Sequence, residues 1–212
     1  MKKYLIPFLV LLMLAGCSAT KINTKTTALS GNFSKDQATY IQKAESDKPM
    51  RVFKINSVSD SILLREKSSY INPNDPDVPL FAARLFATVR DSMSLGVGIA
   101  APQVGILKNI IWVQRFDKED LPFEVYLNPK IIQYSKKKQT RKEGCLSIPD
   151  RSETLNSRAY AILIEYDTMD NKHHIEMVED FTAVIFQHEI DHLDGILYLD
   201  HLQQEIEDAK TK

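Results

Sequence analysis

Near the C-terminus of this 212-residue chain stands the run Gln187-His188-Glu189-Ile190-Asp191-His192-Leu193-Asp194-Gly195. Two histidines four positions apart on a helix lie one turn above the other, so both imidazoles can reach a single metal ion. Glu189 follows the first of them and falls within reach of a water on that ion, where a general base is needed. Phe181, Val184 and Ile185 precede the histidines on the same helical side, at three- and four-residue steps. The histidines therefore continue an apolar stripe, which puts the ion in a partly dry setting. Gly195 supplies a helix stop. The structural alternative is a core helix whose two buried histidines bond to backbone, and a third ligand is what decides between the two.

Three arrangements can supply that ligand. A downstream His-x-x-Gly-x-x-His fits His192 and Gly195, but its last position is Tyr198. A later helix can offer a carboxylate, and Glu205 and Glu207 are available in a highly polar segment near the chain end. The third arrangement is an upstream cysteine, present as Cys145 in Glu143-Gly144-Cys145-Leu146-Ser147. A glycine beside that residue lets backbone approach the site, and a thiolate is a strong ligand for iron or zinc. Two imidazoles and one thiolate leave a fourth position for water, which is how a catalytic site differs from a closed structural one. Alone, Cys145 also fits a small buried hydrophobe.

The chain is long enough for one domain with a real core, and its 43% hydrophobic and 26% charged residues are those of an ordinary globular protein. A net charge of -1 gives no reason to expect nucleic acid as a partner. The first residues differ from the rest. Lys2 and Lys3 precede an apolar run from Tyr4 to Leu14, which ends in Leu14-Ala15-Gly16-Cys17. A basic start, a short apolar segment and small residues describe an export signal over residues 1–16. Because it ends on cysteine it resembles the lipobox of bacterial lipoproteins, which makes Cys17 the lipid-carrying first residue of the mature protein. The run is too short for a spanning helix, which needs roughly 20 residues. Cys145 is then left without a disulfide partner in an oxidising compartment, and is either buried or bound.

Residues 17–50 are rich in Ser, Thr, Lys, Asn and Gln and read as a flexible tether, with room for a short helix within Asp36 to Ala44. The folded domain is expected over 51–203, with 204–212 as a polar tail. Pro79 opens a helix to about Met93, with Phe81, Leu85, Phe86, Val89 and Met93 as its stripe. Strands follow at Ile110 to Val113, Glu124 to Leu127, Lys130 to Gln133 and Ala161 to Tyr166. A turn at Asp170-Asn171-Lys172 leads into another, His173 to Met177. The basic run Lys136-Lys137-Lys138 with Arg141 and Lys142 reads as a solvated hairpin tip. Together these predict an α+β fold, with antiparallel or mixed sheets wrapped around a C-terminal metal-binding helix and an additional N-terminal helix.

At three separated stretches the chain resembles the peptide deformylases. Gly96-Val97-Gly98-Ile99-Ala100-Ala101-Pro102-Gln103 is similar to the first family signature, with isoleucine where leucine is usual. Glu143 to Ser147 matches the second and Gln187 to Gly195 the third, in the same order. The resemblance implies that Cys145, His188 and His192 hold one divalent ion, Fe²⁺ or Zn²⁺ with Ni²⁺ as a laboratory substitute. It further implies that Glu189 moves a proton from water to the leaving amine, and that Gln103 and the Leu146 backbone N–H bind the oxyanion. Gly98 and Ile99 would lie along the peptide, and Phe181, Val184 and Ile185 would form a methionine pocket. Glu143 and Arg158 would contact substrate or support the ligands, although Arg158 is about one residue off the family spacing. The implied substrates are N-formylmethionyl peptides, and the leader moves the expected site of action to the bacterial envelope, lipid-anchored through Cys17. Two other readings are an envelope metallopeptidase cutting internal bonds, and a formyl-peptide-binding lipoprotein on a retired enzyme scaffold.

Overall fold

The computed structural model describes residues 31–91 and 96–211. Helix α1 (Lys35–Ile41) starts at a capping box, in which Gln37 N–H donates to Ser34 Oγ at 3.2 Å and Ser34 N–H to Gln37 Oε1 at 2.9 Å. A short α2 (Val58–Leu63) falls in a stretch whose apolar residues show no clear period. In α3 (Val78–Val89), proline in the first turn suits a helix start, and Phe81, Leu85 and Val89 turn one face inward. It ends at Val89, short of the expected Met93, which lies outside the described residues.

Strands β1 (Gly98–Ala100), β2 (Ile110–Gln114) and β3 (Phe123–Tyr134) run antiparallel side by side. Next come β4 (Lys138–Cys145) and β5 (Ile148–Ala159), which pair only with each other as a two-stranded sheet. Then β6 (Ala161–Asp167) and β7 (His173–Glu179) complete a five-stranded sheet in the order β1-β2-β3-β6-β7. Helix α4 (Asp180–Leu193) carries the histidine motif, and α5 (Tyr198–Lys210) follows. Alternate residues of the larger sheet feed two apolar layers. Ile99, Ile110 and Leu127 pack with α1 and α3, whereas Ala100, Ile111, Val113 and Tyr126 pack with α4. The α+β architecture expected from the sequence is the one observed, and among the described residues no helix is long and apolar enough to cross a membrane.

Several boundaries move. The two strands expected over 124–133 are one, interrupted by a bulge where Asn128 takes φ 52°. Its side chain explains the break: the amide bridges Ile71 N–H and C=O and also donates to Asp167 Oδ2, all at 2.9 Å. The basic run is not a hairpin tip. Lys136 and Lys137 sit in the connection between the two sheets, while Lys138, Arg141 and Lys142 belong to β4. The tether reading fails for the described residues of 17–50, because Phe33, Ile41 and Met50 are buried in the core beside α3. The polar-tail reading fails for 204–210, which lie within α5. Residues 1–16 and Cys17 lie outside the described residues.

Candidate metal centre and active site

Helix α4 is buried on nearly all sides, so its polar residues are held rather than solvated. Its C-terminus is set by Gly195 at φ 73°, with Ile196 N–H donating to Asp191 C=O at 2.9 Å. A side chain at Gly195 would also strike the Arg65 carbonyl, so the chain must turn there on glycine. The hairpin β4–β5 brings Cys145 over the helix at the end of β4, where the register shifts before Ile148. One ligand atom each from Cys145, His188 and His192 lies within 4.8 Å of the others, and Cys145 Sγ is 3.2 Å from His192 Nε2. The upstream thiolate thus completes the set, while Glu205 is spent on the backbone N–H groups of Asn156 and Ser157.

The donor set fits a divalent ion on three counts. Glu143 Oε2 accepts from His188 Nδ1–H at 2.8 Å, which leaves the other ring nitrogen free to ligate. Burial alone would make that ring harder to protonate, yet Cys145 and Glu143 raise its basicity well above the ordinary histidine value. Burial holds His192 well below its usual value, so it stays a neutral donor. Finally, Glu189 Oε2 is buried without a hydrogen-bond partner, an arrangement that requires something polar to complete it.

Beside these ligands lies a cavity of about 750 Å³, reached by Gly98, Gln103, Leu146, Phe181, Val184, Ile185 and Glu189. Burial pushes the Glu189 carboxyl up to about 7, with Glu143 and Asp191 adding to the effect and His188 opposing it. Gln103 sits on a turn of 3₁₀ helix, where its Oε1 accepts from Ala100 N–H at 2.9 Å. That contact fixes the amide, and its Nε2 points toward Ser147 Oγ at 3.2 Å and Cys145 Sγ at 3.5 Å. Ile99 departs from expectation, since alternation along β1 turns its side chain into the core and away from the cavity. Arg158 does not line the cavity either. Its Nε and Nη2 donate to the two Glu143 oxygens at 2.7 and 2.9 Å, and its Nη1 donates to Asp191 Oδ2 at 2.6 Å. Buried between two carboxylates, it stands behind the ligands. Asp191, Ser147 and Tyr198 were not singled out by the sequence. Asp191 lies inside the motif, beside the apolar stripe, but its partners Arg158 and His201 come from β5 and α5, so spacing within the helix carries no signal of its role.

A helical His-Glu-x-x-His joined by an upstream thiolate, open on one side to a cavity, defines a mononuclear metal-dependent hydrolase. Residues 52–207 match the family model described as polypeptide deformylase. The chain is 42% identical over 151 residues to a peptide deformylase of Desulforudis audaxviator, covering 71% of this chain and 94% of that one. A class I type b peptide deformylase from Acinetobacter baumannii, crystallised with Met-Ala-Ser bound, superposes with a TM-score of 0.64 at 30% identity, over 73% of this chain and 99% of that one. The enzyme from Thermotoga maritima gives 0.64 at 26% identity, over 72% and 97%. The chain belongs to the peptide deformylase family. It is a metal-dependent hydrolase that removes the formyl group from peptides.

Proposed function

We propose that this enzyme removes the formyl group from N-terminal formylmethionine of peptides in the bacterial cell envelope, held there by a lipid on Cys17. The observation that carries the chemistry is the convergence of Cys145, His188 and His192 beside the orphaned Glu189 carboxylate. A tripeptide beginning with methionine occupies the related Acinetobacter enzyme, which supports a peptide substrate here. The leader ending in Leu14-Ala15-Gly16-Cys17 supports the location.

Cys145, His188 and His192 would hold a divalent ion, which would supply Lewis acidity and make water a far stronger acid. The remaining work falls to side chains. Glu189 accepts the proton of the attacking water and returns it to the departing amine nitrogen. The Gln103 amide donates to the oxygen that gains charge as the formyl carbon becomes tetrahedral, and the backbone N–H of Leu146, next to Cys145 on the cavity wall, is the second donor in this reading. A neutral donor suits an uncharged formamide. Gly98, lacking a side chain, lets peptide backbone pass beside Glu189, and Phe181, Val184 and Ile185 offer an apolar seat for methionine. Glu143 and Arg158 hold His188 from behind. Thiolate, imidazole and imidazole suit Fe²⁺, Zn²⁺ and Ni²⁺, and exposure to an oxidising compartment favours Zn²⁺ over Fe²⁺.

Formate release from formyl-Met-Ala-Ser, with unformylated proteins in parallel, tests the activity. Cleavage of internal bonds without formate would make it a metallopeptidase, and tight binding without release would make it a binding protein. Metal content after anaerobic purification identifies the ion. Labelled fatty acid should attach to the parent and not to Cys17→Ala, and equal labelling of both would remove the anchor.

A further inference from the structure

We propose that His201, on the helix after the ligand helix, is a positioning residue for the metal centre, acting through Asp191, Arg158 and Glu143 on the ligand His188. The inference rests on the ligand set proposed above and concerns the start of α5, the helix that runs on into the stretch 204–212 read from composition as a polar tail.

The connection is continuous. His201 Nε2–H donates to Asp191 Oδ2 at 2.8 Å. The same oxygen accepts from Arg158 Nη1 at 2.6 Å, and the other edge of that guanidinium holds both oxygens of Glu143 at 2.7 and 2.9 Å. Glu143 Oε2 then accepts from His188 Nδ1–H at 2.8 Å. Every link carries at least one ionised partner or joins one, and such bonds are shorter and stronger than neutral ones. The interior links are buried: the Arg158 and Glu143 side chains are 4% and 5% exposed, while His201 at 33% is where the chain meets solvent.

The physical role follows from what each group lacks. Asp191 Oδ2 is pulled from two sides, by a guanidinium and by an imidazole. Without His201 the carboxylate keeps one protein partner and is free to turn toward water. Arg158 Nη1 then loses a fixed acceptor, and the plane in which Arg158 grips Glu143 loosens. Glu143 sets both the orientation and the basicity of His188, so the looseness arrives at a ligand.

Helix α5 is built to keep His201 in place. Asp200 Oδ2 caps Leu197 N–H at 2.8 Å and pairs with Arg65. Glu205 accepts the N–H groups of Asn156 and Ser157, each at 2.8 Å, immediately before Arg158 on β5. The Tyr198 ring stacks against His188 itself, with centroids 5.9 Å apart and planes 24° from parallel. One helix thus steadies the arginine strand, the ligand ring and the outer end of the hydrogen-bond chain.

The test uses the purified full chain loaded with Zn²⁺, titrated against a chelator, and the Co²⁺-substituted protein read by absorption. Direct outer partners of ligands typically change metal affinity 10–100-fold, and His201 stands further out. His201→Ala should release Zn²⁺ roughly 3–10-fold more readily and shift the Co²⁺ spectrum, with KM for formyl-Met-Ala-Ser within about twofold of the parent. His201→Gln, whose amide can still donate to Asp191, should recover most of the affinity. Asp200→Ala removes a cap and an ion pair from the same helix but leaves the chain intact, so it should bind metal as the parent does. Parent-like affinity and spectrum in His201→Ala would overturn the inference. So would an equal loss in Asp200→Ala, which would mean that only helix docking matters. A parent protein that retains no divalent ion would instead overturn the ligand assignment, and this inference with it.

Discussion

A methyl group built on Gly98 would stand 2.5 Å from Glu189 Oε1 and 2.9 Å from its Cδ and Cγ. The edge strand β1 and the ligand helix α4 therefore meet at a point where only a glycine fits, and the residue that must yield is the general base. Gly98→Ala should push the carboxylate out of register while leaving Cys145, His188 and His192 untouched. We expect formate release to fall on the order of 10²-fold, the proton-transfer share of such a reaction, at unchanged metal content. Loss of metal together with activity would show that β1 holds the ligands rather than the base.

Glu189→Gln separates the proton carrier from the ligand set directly. The buried carboxyl keeps one oxygen unpartnered, and an amide of the same shape removes the cost of burying a charge. Turnover should drop about 10²–10⁴-fold, with metal retained and thermal stability no lower than the parent's. Formate release by the variant at the parental rate would remove Glu189 from the reaction.

Gln103 has two duties, and two substitutions divide them. Gln103→Leu deletes both the donor aimed at the site and the acceptor of the Ala100 N–H. Gln103→Glu keeps the acceptor and loses the donor. Both should lose about 10²–10³ in kcat, but only the leucine variant strands a buried N–H, at a cost of about 1–3 kcal/mol. Urea unfolding beside single-turnover rates checks this, and equal stability of the two variants would contradict it.

Outside the cavity lining, buried Arg115 gathers Asp117, Glu124 and Glu176, at 2.7, 3.3 and 2.8 Å. Its hydrogen bond holds Asp117 below the ordinary carboxylate range. Burial would raise Glu124, but Lys118, Tyr126 and Arg115 outweigh it and hold that group down too. A carboxyl whose folded pKa is depressed contributes stability above its unfolded value, near 3.9 for Asp and 4.3 for Glu, and the contribution vanishes as pH falls through the folded value. Arg115→Met should therefore destabilise strongly at pH 7 and less at pH 3 relative to the parent. Guanidinium unfolding at both values reads the difference, and a gap that widens in acid would reverse the assignment.

How far the sequence reveals the site depends on where the signal resides. Metal-helix spacing is a local property, so His188, Glu189 and His192 were legible, and Cys145 followed because its neighbours form a distinctive run. The strand β2, apolar on both faces, was legible for the same reason. The hairpin β4–β5 was not: from Lys138 to Asn156 most residues are charged, hydroxyl or amide, and only pairing across the two strands makes them a sheet. Arg158 could be placed neither on the substrate nor behind the ligands, because its two carboxylate partners come from β4 and α4. Asp191 and His201 are ten residues apart and joined only by tertiary packing. Composition also misled at the start of the domain, where a few apolar residues in a polar stretch carry the burial.

Those few residues give the last test. Phe33 packs edge-to-face on Phe81, with centroids 5.4 Å apart, its N–H donates to Asp75 Oδ2 at 2.8 Å, and Ile41 is fully buried. Residues in a tether could be replaced at no cost, whereas Phe→Ala and Ile→Ala in a core cost about 3–5 and 2–5 kcal/mol. Neither side chain touches the cavity, so their loss should act on stability and leave the reacting groups in place. We expect Phe33→Ala and Ile41→Ala each to lower the unfolding midpoint in urea markedly, while kcat at low temperature stays within about twofold of the parent. Midpoints that do not move would mean that residues 31–50 are carried on the domain without belonging to it.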